Sequence, residues 1–388
     1  MLDVAIVGGG PGGMAAARSL AAGGWSVAVF EEHPQVGTPV HCTGVLAESV
    51  IAALDLPAEA VLNALDTVRF VAPAGHSFDY TTATTEAVVI DRAVFDSALG
   101  RRAEVAGATL VRGCRVTAID HTADAVQLTL AAGDTVPARS VILACGANYA
   151  FQKRLGLGMP STFLQSAQLE LPVERLGDVE IHFGSEIAPK GFAWAVPVRR
   201  SGGSFARIGV MAESDPADFF WRMLARVRER WGVTVPDSVS PKRRMLPLGS
   251  VKRTYAERVL AVGDAAGLVK PTTGGGIYYS VVSGELAAEV LASRLAANDL
   301  SLGALRDYER RWRARFQPEF SAQLALRFVA QRMRDTDIDA LFTLAITDGI
   351  LPLVHQTARF NHHRDFILAL LRHQPARRAL FGRLASSM

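Results

Sequence analysis

Gly8, Gly10 and Gly13 stand at GxGxxG spacing between the apolar run Val4 to Val7 and an Ala-rich segment. Such a turn, with bare N–H groups at the head of a helix, is chemistry for holding a pyrophosphate. Gly8 permits the turn, Gly10 lets backbone approach the phosphates, and Gly13 lets helix and strand lie close. A second strand, Trp25 to Phe30, delivers Glu31, whose carboxylate can accept hydrogen bonds from an adenosine ribose. A second cluster lies far along the chain. Gly263-Asp264 ends an apolar strand, and Gly274-Gly275-Gly276 opens a helix ten residues later. An aspartate there suits ribityl hydroxyls, and a glycine-rich helix start suits the pyrimidine edge of a reduced, anionic flavin; the plainer reading of Asp264 is an N-cap.

These residues need a parallel sheet with helices. Strand, turn, helix and strand fill residues 4 to 31, followed by a Gly-, Pro- and Thr-rich loop at 32 to 46 and a helical stretch at 47 to 54. A β run at 88 to 90 leads into a helix at 93 to 106. Alternation at 114 to 119, 126 to 130 and 141 to 144 predicts a small meander returning to the sheet. From 150 the intervening helices vanish. Strands are expected at 165–171, 179–183, 192–198 and 205–210, then an amphipathic helix at 216–231, so an antiparallel sheet interrupts the dinucleotide unit. That unit resumes with a strand at 258–262 and a helix at 278–297. Residues 298 to 388 read as Arg-rich helices broken at Pro318, Pro352 and Pro375.

Composition narrows the class. At 49% hydrophobic and 20% charged the chain is globular, and a net charge of +3 gives no reason to expect a nucleic-acid partner. Cys42, Cys114 and Cys145 form no CxxC, so they read as free thiols of a reducing, cytoplasmic compartment. No basic n-region precedes the first strand, so no secretory signal is expected. Asp348 and Pro352 break the most apolar stretch, at 340 to 354, so no bilayer span is expected. His362-His363 lack ligand spacing, so no metal is expected.

The combination of VGGGPGG with Glu31, DRAVFD at 91–96 and GDAAGLVKPTTGGGI at 263–277 resembles the para-hydroxybenzoate hydroxylase-like FAD superfamily. Within it, PVHCTGVL at 39–46 and GFAWAVP at 191–197 resemble the geranylgeranyl reductase family. The resemblance runs from residue 1 to about 297. It implies an α/β fold: a Rossmann-like FAD-binding domain (1–66, 88–148 and 256–297), an inserted antiparallel substrate domain (67–87 and 149–255) and a C-terminal helical region (298–388). The candidate FAD set is Gly8, Gly10, Pro11, Gly12, Gly13, Glu31, Glu32, Cys42, Arg92, Gly263, Asp264, Gly274, Gly275, Gly276 and Ile277. Cys42 and Gly44 are expected beside the flavin ring, with Phe192, Trp194 and Pro197 walling a substrate cavity and Tyr278 a further lining residue. Cys42 is a candidate proton relay or gate with His41 as its partner; alternatively it is a packed thiol and His41 a loop residue. Arg92 alone is equally a helix-start arginine.

The implied reaction is reduction of isolated C=C bonds in a geranylgeranyl-type chain carried on a diphosphate, lipid or quinone. Chemistry on such a bond calls for an apolar pocket with few acids. Two departures are visible: Val196 stands where the family has an aromatic, and Cys145-Gly146 where hydroxylases carry Asp-Gly. Halogenases carry a lysine in the N-terminal part of the chain, and the first lysine here is Lys153. An aromatic hydroxylase and a non-catalytic flavin electron carrier remain as alternatives. The fingerprint is single, so NAD(P)H or ferredoxin would donate electrons without a dinucleotide site of its own. Between Arg359 and Arg383 six arginines and one acid interleave with apolar residues. Such a segment either packs on the core or touches the cytoplasmic membrane face, as a lipid substrate would favour.

Overall fold

The computed structural model describes residues 1–122, 124–347 and 350–381, so Asp348 and Arg383 lie outside the described residues. Strand Leu2–Val7 sits centrally in the main sheet. Its parallel neighbours are Thr135–Leu143 on one side and Val27–Phe30 on the other, with Val259–Ala261 and Thr109–Val111 beyond them. Val4, Ala5 and Ile6 are wholly buried, as parallel strands covered on both faces require. The expected meander forms from Val116–His121, Val126–Leu130 and Thr135–Leu143. Its last strand begins antiparallel to Val126–Leu130 and ends parallel to the first strand, with Leu143 opposite Val7. Strand Thr109–Val111 was not expected; three residues carry no readable period.

Helices Pro11–Ala22 and Ile277–Ala296 pack against each other through glycine. A Cβ on Gly12 would stand 2.8 Å from the Ser280 carbonyl oxygen, and one on Gly284 would overlap the Gly12 carbonyl oxygen. The N-terminal helix is thereby held by residues more than two hundred and fifty positions away.

The inserted sheet has seven strands: Thr67–Val71 comes from the 67–87 segment expected in this domain, and Ser77–Thr81 and the edge strand Lys242–Pro247 are additional to the strands expected. All neighbours are antiparallel except Val179–His182 beside Thr67–Val71. Side chains alternate across it. Ala193, Ala195, Ile208 and Val210 pack under helix Pro216–Trp231, whereas Trp194, Val196, Val198 and Met211 form a second cluster on the opposite face. A third sheet of Val45–Ala47, Ala87–Ile90 and Val61–Leu65 joins the two units. Its middle strand gives Val88 and Ile90 to the main core and Val89 to the apolar cluster. The expected loop at 32–46 therefore ends in a strand, and the helix after it is only Ser49–Ala53.

The C-terminal region is helical, but Pro318 is not a break. Helix Leu302–Ala330 runs through it. The missing N–H and ring clash cost about 3 kcal/mol, and burial of Leu305, Tyr308, Trp312, Phe316 and Phe320 offsets that cost. Pro352 and Pro375 do fall in the first turns of Ile350–Thr357 and Gln374–Phe381. Among the described residues no single helix is long and apolar enough to cross a membrane; Asp335–Thr347 and Ile350–Thr357 qualify only as a pair bent by 83°.

Candidate cofactor and substrate site

The glycine turn is built for an anion. Gly8 has φ +104°, and a Cβ there would overlap the Ala144 carbonyl oxygen; one on Gly13 would overlap the Gly8 carbonyl oxygen. Among the described residues nothing lies within 4 Å of where a Gly10 Cβ would stand. Helix Pro11–Ala22 has no side-chain cap and no acid in its first turn, so its N–H groups and positive dipole end face that space. Glu31 accepts from the Gly9 N–H at 2.7 Å and the His33 N–H at 2.9 Å, and lies 2.6 Å from His33 Nδ1. His33, which the sequence reading did not single out, thus fixes the Glu31 carboxylate. Glu32 is half exposed and 3.7 Å from Arg115.

Asp264 lies in the turn Gly263–Ala266 after strand Val259–Ala261. No backbone N–H donates to its carboxylate, so it is not an N-cap, and among the described residues that carboxylate has no hydrogen-bond partner. Burial raises its pKa, against the opposing pull of Arg244 and Arg92. A partly buried carboxylate without donors is a site waiting for hydroxyls. Beside it, Gly276 heads helix Ile277–Ala296 without a side-chain cap, and a Cβ on Gly276 would stand 2.7 Å from Asp264 Oδ1. A Cβ on Gly275 would meet Lys270 Cε at 2.7 Å. Lys270 is buried and donates to the Phe360 carbonyl at 2.8 Å, tying the glycine loop to the C-terminal region. Burial lowers its pKa to about 7. His363 lies 2.9 Å from Thr272 Oγ1, and burial lowers its pKa to about 4.

The loop carrying Cys42 packs on the main core beside Arg92. Cys42 Sγ accepts from the Gly44 N–H at 3.3 Å and faces Arg92. Arg92 forks onto Asp96 at 3.1 and 2.7 Å. Burial works against its charge, but Asp96 and Cys42 outweigh it and raise its pKa. Arg92 is thus a buried ion-pair member rather than a surface arginine. Gly44 has φ +69°, and a Cβ there would stand 2.7 Å from the Ile90 carbonyl oxygen. His41 makes no hydrogen bond to Cys42; its Nδ1 is buried without a partner among the described residues, and burial, then Arg244 and Lys242, lower its pKa. The expected His41–Cys42 pairing is not formed, and Arg92 stands in that place.

On the inserted sheet Phe192 and Trp194 have ring centroids 5.7 Å apart, and Val196 shares their face. Trp194 lies over Gly209, with its indole N–H buried and unpartnered. Pro197 does not belong to this wall: the two-residue period turns it to the opposite face, and its carbonyl accepts from Asn63. Tyr278 is also displaced from it, because its ring packs on Tyr279 and Phe316 in the main core. Phe360, which touches both clusters, was missed because nothing local marks it. A separate groove of about 560 Å³ along helix Pro216–Trp231, lined by Trp221, Leu224 and Arg228, contains none of these residues.

An uncapped glycine turn, an unpartnered Asp264 and a glycine helix start beside an apolar sheet face together define an oxidoreductase of the two-domain flavoprotein class. The profile of the family described as lycopene cyclase protein matches residues 3–343. A digeranylgeranylglycerophospholipid reductase of Methanocaldococcus jannaschii is 28% identical over 87% of this chain and 89% of its own. A second reductase of that name, from Methanopyrus kandleri, is 30% identical over 91% and 92%. A solved geranylgeranyl bacteriochlorophyll reductase-like structure from Thermoplasma acidophilum superposes with a TM-score of 0.83 at 23% identity, covering 100% of this chain and 99% of that one. The chain belongs to the geranylgeranyl reductase family of flavoproteins.

Proposed function

We propose that the protein binds FAD and reduces isolated C=C bonds of a polyprenyl chain carried on a lipid. The observation that carries this reading is the juxtaposition of an apolar patch (Phe192, Trp194, Val196 and Met211) with a cofactor turn that has an open anion site and an unpartnered carboxylate. The Pro11–Ala22 helix start would hold the pyrophosphate, Glu31 the adenosine ribose, Asp264 the ribityl hydroxyls and Gly274 to Gly276 the pyrimidine edge. When bound and reduced, the flavin supplies a hydride. The protein supplies the rest. The aromatic wall excludes water and aligns the chain, and Cys42 Sγ holds the proton that completes the addition. Arg92, set against Sγ, stabilises the thiolate left behind, and solvent restores the proton. Electrons come from an external donor such as NAD(P)H or ferredoxin. The exposed Leu324, Phe328 and Ile346, with the basic helix Arg364–Arg372, support a peripheral contact with the membrane holding the lipid.

The test is anaerobic: reduce the holoprotein with dithionite, add a geranylgeranyl-bearing phospholipid, and follow flavin reoxidation with product mass. Reoxidation with a gain of two hydrogens per bond supports the reading. Reduced flavin that persists with every prenyl compound, yet reoxidises when oxygen and an aromatic acceptor are supplied, overturns it in favour of a hydroxylase.

A further inference from the structure

The segments carrying Cys42 and Arg92 are anchored from the inserted sheet by a network that runs through Glu170. Glu170 and Arg207 face each other on adjacent strands, Phe163–Pro172 and Gly203–Ala212, with Arg207 Nε 2.8 Å from Glu170 Oε2. Arg207 is 3% exposed. Its Nη1 donates to the Thr43 carbonyl at 2.5 Å and the Ile90 carbonyl at 3.0 Å, and Thr43 Oγ1 donates to Gln168 at 2.9 Å. Glu170 also takes Arg200 Nε at 2.6 Å and Nη2 at 3.1 Å. Arg200 in turn pairs with Asp91, whose Oδ1 caps the helix of Arg92 by accepting from Ala93 at 2.9 Å and Val94 at 3.2 Å. Thr43 follows Cys42 and Asp91 precedes Arg92, so the network ends one residue from each member of the thiol–guanidinium pair. It also holds the wall: Arg200 ends the strand of Phe192 and Trp194, and Val196 lies opposite Arg207.

We infer that Glu170, with Arg207 and Arg200, is a positioning clamp that sets Cys42 against Arg92 and fixes both relative to the substrate wall. Burying these charges gives little net stability, since apolar residues of similar volume usually serve as well or better. What a forked arginine on two carbonyls adds is a fixed loop position. This inference rests on Cys42 acting within the site proposed above.

The test reads the thiol without turnover, so it can fail while prenyl reduction holds, or hold while that reading fails. In the FAD-loaded protein carrying Cys114→Ser and Cys145→Ser, the rate of Cys42 alkylation by iodoacetamide at one fixed pH is measured for Glu170→Gln, Arg207→Lys and Thr43→Val. Leu171→Ala, on the opposite face of the same strand and 1% exposed, is the purely structural control. Loosening the clamp lets the loop carry Sγ away from Arg92 and the Gly44 N–H that cover it, so the alkylation rate rises by about threefold or more. Leu171→Ala lowers Tm and leaves the rate in place. Clamp variants that match the control, with a lower Tm and an unchanged rate, overturn the inference. Thr43→Val removes only the Gln168 bond, and decides the matter in the same way if the charge variants do not fold.

Discussion

Substituting Gly284 by alanine tests whether the cofactor site depends on a contact far from it in sequence. In an exposed helix this change is stabilising by about 1 kcal/mol. At Gly284 the new Cβ overlaps the Gly12 carbonyl oxygen and stands 3.0 Å from its carbon and 3.2 Å from its Cα. Relief requires helices Pro11–Ala22 and Ile277–Ala296 to separate by about 1 Å, and because the clash is with backbone that cannot rotate away the cost falls in the upper part of the overpacking range, at about 2–3 kcal/mol. Against the propensity gain, a net loss of about 1–2 kcal/mol remains, and it falls on the helix start because Gly12 is in its first turn. FAD should therefore bind about 5- to 30-fold more weakly. The assay is titration of apoprotein with FAD at constant temperature, followed by flavin fluorescence, together with thermal melts. Gly303→Ala, near the start of Leu302–Ala330 with its nearest atom 3.9 Å away, is the matched control and should melt no lower than wild type. A Gly284→Ala protein that binds FAD within about twofold of wild type and melts like the control refutes the reasoning.

Asp264→Asn should act with opposite signs on two observables. It removes a partly buried carboxylate without donors whose charge burial disfavours, so the apoprotein melts higher, while FAD affinity falls about 10- to 100-fold through loss of charge-assisted hydrogen bonds to ribityl hydroxyls; a parallel fall in both would contradict the assignment. Lys270 has a folded pKa of about 7 against an ordinary 10.5. The unfolded chain binds more protons between those values, so this group's contribution to stability rises with pH across that window. Wild-type Tm minus Lys270→Met Tm should therefore be smallest below pH 7 and grow toward pH 10, and a flat difference across melts at three pH values would rule this out. Val196→Phe adds bulk to the wall and should raise KM for the longest prenyl chain while leaving kcat on shorter chains within about threefold. Competition between chain lengths measures it, and unchanged preference would remove Val196 from the wall.

The parts legible in the sequence are those whose causes are local. Gly8, Gly13 and Glu31 announce their turn because steric demand and charge act within one strand–turn–helix unit. The wall strand Phe192–Arg200 was readable from its alternation, yet the same alternation excludes Pro197, which the motif had drawn in. The three-residue strands Val45–Ala47 and Thr109–Val111 are too short to show a period. Pro318 misled because a local helix rule was outweighed by aromatic packing on either side of it. Tyr278 was placed by adjacency to the glycines, whereas helical geometry turns it toward Phe316. Arg207, Glu170, Gly284 and Lys270 could not be seen at all. Each takes its meaning from partners brought up only by the tertiary fold, although a lone arginine inside FARIGVMA was a visible oddity.

The partnership of Gly12 with Gly284 also dictates an order of events during synthesis. Helix Pro11–Ala22 cannot bury its glycine face until helix Ile277–Ala296 has been made, roughly 15–50 s later at about 5–20 residues per second. Through that interval the nascent chain carries a completed phosphate turn on an unsupported helix, with the whole inserted sheet emerging in between. Flavin capture is thus a late step that reports completion of the whole oxidoreductase unit. A chain cut before residue 277 should leave the ribosome colourless, however well its first sheet has formed.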